Sequence, residues 1–230
     1  MVLITELMTS GTLKAFIQSR FSDSKPSIQV IKRWSRQILL GLYYLHSRQP
    51  PVIHRDLKCE NIFIVGATGE VKIADLGLAT MRESALKHKS IIGTPEFMAP
   101  EMYAEVYDHM IDVYAFGMCL LEMAVNEYPY NECKTALGVY NTVVRDKKDP
   151  ECLKNVDNEQ LLLIIKDCIS HDPKERKTTG ELLQNEFFKD QTGLSIEVVA
   201  KSGNVLTLRL HWDDDAKSYS KKLAPYAKGK

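Results

Sequence analysis

His54-Arg55-Asp56-Leu57-Lys58-Cys59-Glu60-Asn61 follows Pro50-Pro51-Val52-Ile53. A helix cannot run through two consecutive prolines, so the stretch PPVIHRD (50–56) is expected to be an irregular loop. Upstream, Ile28, Ile31, Trp34, Ile38, Leu42 and Leu45 recur at three- and four-residue steps and predict a long amphipathic helix. Downstream, the apolar runs Ile62 to Val65 and Val71 to Ala74, framed by Gly66 and Gly69, predict a small hairpin. Residues 75–100 lack sustained periodicity, and a loop of that length inside a domain is usually functional. The run VYAFGMCLLEMA, within Asp112 to Ala124, predicts a buried helix. Shorter helical patterns occupy Thr135–Arg145, Asn158–Ser170 and Thr178–Asn185.

Toward the start, VLITEL reads as a short strand, Ser10-Gly11 as a break, and Leu13, Phe16 and Ile17 as a helical stripe before the loop FSDSKPS. Beyond Asp190 the texture changes. Leu194, Ile196 and Val198 alternate with polar residues, as do Leu206, Leu208, Leu210 and Trp212, with Ser202-Gly203-Asn204 between them. That pattern predicts a hairpin with one buried face. The expected class is mainly α, within α+β: a large helical body carrying small β-hairpins.

Composition narrows the function. Thirty basic and thirty acidic residues cancel, so no excess charge points to nucleic acid or a membrane surface. The lysines at 217, 221, 222, 228 and 230 read as a solvated end. Five widely spaced cysteines (Cys59, Cys119, Cys133, Cys152 and Cys168), with no CxxC pair, suit reduced thiols and a cytoplasmic location better than a disulfide frame or a zinc site. No apolar run reaches membrane-span length, so no membrane insertion is expected. Thr5 and Glu6 interrupt the apolar start, which argues against a signal peptide.

The octet from His54 to Asn61 matches the catalytic-loop pattern of protein kinases, His-Arg-Asp with an Asn five residues after the Asp. By that match Asp56 accepts or orients the substrate hydroxyl proton, Asn61 binds a magnesium ion through its amide oxygen, and Lys58 neutralises the transferring phosphoryl group of ATP. Asp75-Leu76-Gly77 then stands after the hairpin in the place of Asp-Phe-Gly, giving Asp75 as a second magnesium ligand. Ala99-Pro100-Glu101 stands in the place of Ala-Pro-Glu. Each tripeptide is weak alone; three in order, with a hairpin between the first two, are specific. Lys58 after HRDL and the later Gly93-Thr94-Pro95-Glu96 resemble serine/threonine kinases, in which Thr94 would bond near Asp56 and Lys58. Glu101, its partner Arg176 in DPKERK, and Asp112 are expected to be structural.

ELMTSGTLK (6–14), DLGLAT (75–80), IGTPEFMAPEMY (92–103) and DVYAFGMCLLEMA (112–124) resemble the with-no-lysine, or WNK, kinases. The resemblance covers residues 2 to 190, with Glu60 a departure from the family's Asp. It implies a non-specific serine/threonine protein kinase in ion and osmotic signalling, with protein substrates, among them a downstream kinase. It also implies an adenine-contacting hinge at Thr5, Glu6, Leu7 and Met8, and an activation-loop phosphorylation site at Ser90, with Ser84 as the alternative. A chloride pocket at Leu3, Leu76 and Leu78 is implied too, though plain core leucines would give the same letters. The strands after 190 resemble the start of a module that binds short Arg-Phe-x-Val peptides; a hairpin that merely caps the last helix is the other reading.

The expected organisation is thus a kinase hinge and C-terminal lobe over 1–190 and an incomplete β-containing module over 191–230. The glycine-rich loop, the phosphate-binding lysine and its partner glutamate normally precede the hinge and are not in this sequence. The expectation is a kinase-like fold with its N-terminal lobe missing, from a truncated gene model, binding nucleotide poorly by itself. A non-catalytic docking module built on the same lobe is the alternative.

Overall fold

Thr12, Ser27, Thr135, Asn158 and Thr178 each stand just before a helix, and each side-chain oxygen accepts a backbone N–H of the first turn. At Thr178 the bond is reciprocal, because Glu181 reaches back to the Thr178 N–H at 2.8 Å. The computed structural model describes residues 10–22, 24–65, 68–81, 93–104, 106–188, 195–202 and 205–211. Its helices are α1 (Leu13–Arg20), α2 (Ile28–His46), α3 (Met110–Val125), α4 (Ala136–Tyr140), α5 (Glu159–Ile169) and α6 (Thr179–Leu183). The candidate hinge Thr5, Glu6, Leu7 and Met8 lies outside the described residues, as do Leu3, Ser84, Ser90 and Trp212.

The strands come in antiparallel pairs. β1 (Val52–Ile53) pairs with β4 (Thr80–Met81), and β2 (Ile62–Val65) pairs with β3 (Glu70–Ile73), with Ile62 opposite Ile73 and Val65 opposite Glu70. β5 (Ser195–Ser202) and β6 (Val205–His211) form the expected C-terminal hairpin, with Ile196 opposite Leu210, Val198 opposite Leu208 and an irregularity between Val198 and Ala200. The architecture is helix-rich with small β pairs, as the periodicities predict. The second run of the first hairpin starts one residue early, at Glu70. The helix expected over Thr135–Arg145 leaves α geometry after Tyr140 and closes as a π turn over Asn141–Arg145, with Asp146 N–H donating to Asn141 at 2.9 Å. Three β-branched residues in a row, Thr142-Val143-Val144, weaken regular α-helix there.

α2 presents Ile31, Trp34, Ile38, Leu39 and Leu42 to the core, while Tyr43 and Tyr44 face out. It also holds the β2–β3 hairpin by polar contacts: Trp34 Nε1 donates to Gly69 at 3.2 Å, and Gln37 Oε1 accepts the Val71 N–H at 2.7 Å. α3 is buried at every position, so it reads as apolar on all sides rather than amphipathic. It packs on α2 and α5. At Gly117 the contact with α5 is backbone-close: a Cβ there would sit 2.6 Å from Cys168 Cβ and 2.7 Å from Ile169 Cγ2. No helix among the described residues is long and apolar enough to cross a membrane.

The segment after α5 is anchored by one cation. The Arg176 side chain is fully buried and makes a two-pronged pair with Glu101, Nη1 to Oε1 at 2.5 Å and Nη2 to Oε2 at 2.8 Å. Its remaining N–H groups reach Ser170 O at 2.7 Å and Met110 O at 3.1 Å. With His171 O at 3.5 Å, five acceptors from three segments converge on one guanidinium. Removing Glu101 strands that charge in the interior, so Glu101→Ala is expected to cost about 3–5 kcal/mol in urea unfolding. A loss under about 1 kcal/mol would show that the pair is solvated and dispensable.

Candidate active site

α3 buries two carboxylates in its otherwise apolar surface, Asp112 near its start and Glu122 near its end. Asp112 accepts the His54 N–H at 2.8 Å through Oδ2 and the Arg55 N–H at 3.0 Å through Oδ1. His46, at the end of α2, contacts the same Oδ2 at 2.9 Å. Burial pushes the Asp112 carboxyl up, but the hydrogen bond and charge of His46, with His54, outweigh it and hold the group below its ordinary value. With both N–H groups held, Arg55 adopts φ 70°, a left-handed conformation that costs a non-glycine residue of order 1–2 kcal/mol. The loop therefore turns at Arg55 because Asp112 holds it.

Asp56 follows that turn. Asn61 Nδ2 donates to Asp56 O at 2.7 Å and to Asp56 Oδ2 at 2.9 Å, across the short 3₁₀ turn Cys59–Asn61. Lys58 Nζ lies 3.3 Å from Asp56 Oδ2 and donates to Thr94 Oγ1 at 2.7 Å. The Thr94 hydroxyl in turn donates to Asp56 Oδ1 at 3.2 Å. Asp56, Lys58 and Asn61 of the octet and Thr94 from the later Gly-Thr-Pro-Glu string thus form one network.

The hairpin returns the chain to this network. His54 Nε2 contacts Ala74 O at 2.9 Å, and the Ala74 N–H donates to Asn61 O at 2.9 Å. Asp75 is therefore one residue away from a direct backbone bond to Asn61. It stands in left-handed backbone, φ 59° and ψ 61°, and its exposed carboxylate accepts the Gly77 N–H at 3.3 Å. Asn61 Nδ2 donates twice to Asp56, which leaves Oδ1 as the atom that could meet a metal ion. An amide oxygen and an exposed carboxylate across one backbone bond fit magnesium, which takes few protein oxygens and completes its shell with water and phosphate. Leu76 is 41% exposed and Leu78 partly buried, so Leu76 is not a core leucine. Glu101 and Arg176 stand apart from this network, in the pair described above.

Sequence reasoning gave no role to Lys14, Glu60 or Glu122. Lys14 Nζ bonds Glu60 Oε1 at 2.6 Å and lies 3.7 Å from Glu122 Oε1. No periodicity links a residue of α1 to the loop forty-six positions later. His46 was also missed; its only signal is its place at the end of the apolar stripe of α2.

The protein kinase domain family matches residues 1–188. The chain is 53% identical over 214 residues to human serine/threonine-protein kinase WNK4, covering 91% of this chain and 17% of that protein. It is 52% identical over 219 residues to mouse serine/threonine-protein kinase WNK3, covering 94% of this chain and 12% of the relative. It is 50% identical over 227 residues to the Drosophila melanogaster serine/threonine-protein kinase Wnk, covering 96% and 9% respectively. The chain thus spans less than a fifth of the length of these relatives. With an Asp-Lys-Asn-Thr network formed around a His-Arg-Asp turn, these matches agree on one assignment: the chain belongs to the protein kinase family, within its WNK group.

Proposed function

We propose that this chain carries the catalytic groups of a serine/threonine protein kinase, which moves the γ-phosphoryl group of ATP onto Ser or Thr hydroxyls of proteins. The observation that carries the reading is the Asp56 carboxylate, held by Asn61 and Lys58 and already accepting a hydroxyl, that of Thr94. A substrate hydroxyl in that position has its proton directed to Asp56 as its oxygen bonds to the γ-phosphorus. The bond from that phosphorus to the β–γ bridging oxygen breaks, and ADP leaves with the electron pair. Lys58, between Asp56 and Thr94, supplies positive charge where the transferring group passes. Magnesium, when bound, neutralises phosphate charge, and Asn61 and Asp75 would hold it. Thr5, Glu6, Leu7 and Met8 are assigned to adenine. The substrate class includes a downstream kinase, and the five thiols suit a cytoplasmic setting.

In a protein that carries the N-terminal lobe as well, Asp56→Asn is expected to keep nucleotide affinity and to lower kcat on a serine peptide by about 10²-fold or more. Asp75→Ala is expected to remove the magnesium dependence of nucleotide binding. Turnover near wild type in Asp56→Asn would show that the carboxylate has another role.

Phosphorylation of Ser90 is assigned an activating role. Arg55 precedes Asp56, and its Nη1 is buried with no hydrogen-bond partner among the described residues, as suits a guanidinium that receives a phosphate. Mass spectrometry after incubation with ATP is expected to find phosphate on Ser90 rather than Ser84, and Ser90→Ala to lower activity. Full activity in Ser90→Ala contradicts the assignment.

The strands β5 and β6 are assigned to the start of a module for Arg-Phe-x-Val peptides. A two-stranded hairpin is marginal alone, so the titration uses a protein extended beyond Lys230. A saturable change in Trp212 fluorescence is expected; none up to about 1 mM peptide, roughly −4 kcal/mol, removes the assignment.

A further inference from the structure

A small cavity of about 140 Å³ opens between α1 and the C-terminal end of α3, lined among others by Lys14, Gln18, Glu122, Asn126 and Tyr128. Its electrostatics are unusual. Lys14 Nζ is held on three sides: by Glu60 Oε1 at 2.6 Å, by Glu122 Oε1 at 3.7 Å and by the face of the Tyr128 ring, 3.8 Å from its centroid. Two carboxylates and an aromatic face make a cation site. Glu122 is only 6% exposed, and its Oε2 has no hydrogen-bond partner among the described residues. Glu60 Oε2 is likewise buried without one. A compact ammonium reaches one oxygen of each carboxylate and leaves the other pair, whereas a planar guanidinium could span them. Burial raises the Glu122 carboxyl to about 7 against the pull of Lys14, so one ammonium does not fully compensate the site.

The site is also close to the chemistry. Glu60 lies in the turn Cys59–Asn61, and the next residue orients Asp56. Four chain steps separate Glu60 from Asp56, so their Cα atoms are at most about 14 Å apart. A substrate strand at about 3.3 Å per residue covers that span within some four residues of its acceptor hydroxyl.

We propose that Lys14 is a specificity-determining residue: it fills, from within the chain, a cation site that would otherwise take an Arg or Lys side chain of the protein substrate. The kinase is thereby indifferent to basic residues near the acceptor. This rests on the kinase reading above and adds what the neighbouring surface selects. A salt bridge with a purely structural role would change stability without changing which peptides are preferred.

The test is a set of serine peptides with a single Arg, or Ala, at each of the four positions on either side of the acceptor. Wild type is expected to treat the Arg and Ala peptides alike, within about threefold in kcat/KM. Lys14→Met is expected to favour Arg at one position by about tenfold or more, and Lys14→Met with Glu122→Gln to lose that preference. The same ratios are read without turnover, as peptide affinities by fluorescence anisotropy. If Lys14→Met gains Arg affinity while no variant phosphorylates any peptide, the cation site stands and the kinase reading fails. If Lys14→Met shows no Arg preference in affinity, or wild type already shows it, the proposal is overturned whatever the activity. Should Lys14→Met not fold, Lys14→Gln, which keeps a hydrogen-bond donor for Glu60, carries the same comparison.

Discussion

The carboxylate of Asp112 decides where the catalytic loop can be. It is buried in a helix whose every residue is buried, and it accepts two successive backbone N–H groups from His54 and Arg55. Buried backbone donors need partners, and the ladder of β1 ends at Ile53, so it supplies none to His54 and Arg55. Asp112 supplies both, and His46 keeps it ionised. The left-handed turn at Arg55, the placement of Asp56 beyond it and the return contact of His54 to Ala74 all follow from that anchor. Because the group titrates below its ordinary value, its contribution is present above the usual carboxylate range and fades as pH falls through the depressed value.

α3 is suited to bear this load because it is held from all sides. Gly117 lets α5 approach at backbone distance, and the guanidinium of Arg176 ties Glu101 and the Met110 carbonyl together. The Asp56 network stands on this frame through short links: Asp112 to the loop, the loop to the end of β3 through Ala74 and Asn61, and the hairpin to α2 through Trp34 and Gln37. Shifts in any of these would move Asp56 and Asp75 relative to each other, which phosphoryl transfer tolerates poorly because it relies on positioning and charge.

The same helix carries two buried carboxylates with opposite electrostatic fates. Asp112 is met by backbone N–H groups and a histidine, and stays ionised. Glu122 is met by a shared ammonium and the weak thiol donor of Cys59, and burial dominates. The difference lies in the number of donors within hydrogen-bond reach, since depth of burial is similar. Glu60, one methylene longer than Asp would be, meets Lys14 at 2.6 Å.

Much of this was legible in the sequence, for physical reasons. Helix periodicity marked α2, α3 and α5 because burial imposes a 3.6-residue repeat or an unbroken apolar run. Gly69 and the apolar runs marked the β2–β3 hairpin, and the His-Arg-Asp and Asp-Leu-Gly strings marked the groups proposed for phosphoryl transfer. What a string cannot state is which distant side chains meet. The π turn after Tyr140 depends on packing that local propensity does not include. His46 against Asp112, Lys14 against Glu60 and Glu122, and Thr94 against Asp56 join residues tens of positions apart. The sequence by itself determined the elements and the chemical groups, since both are set by local pattern and residue type. Only the tertiary structure decided which charges are shared, because that depends on how buried helices bring separate segments within hydrogen-bond distance.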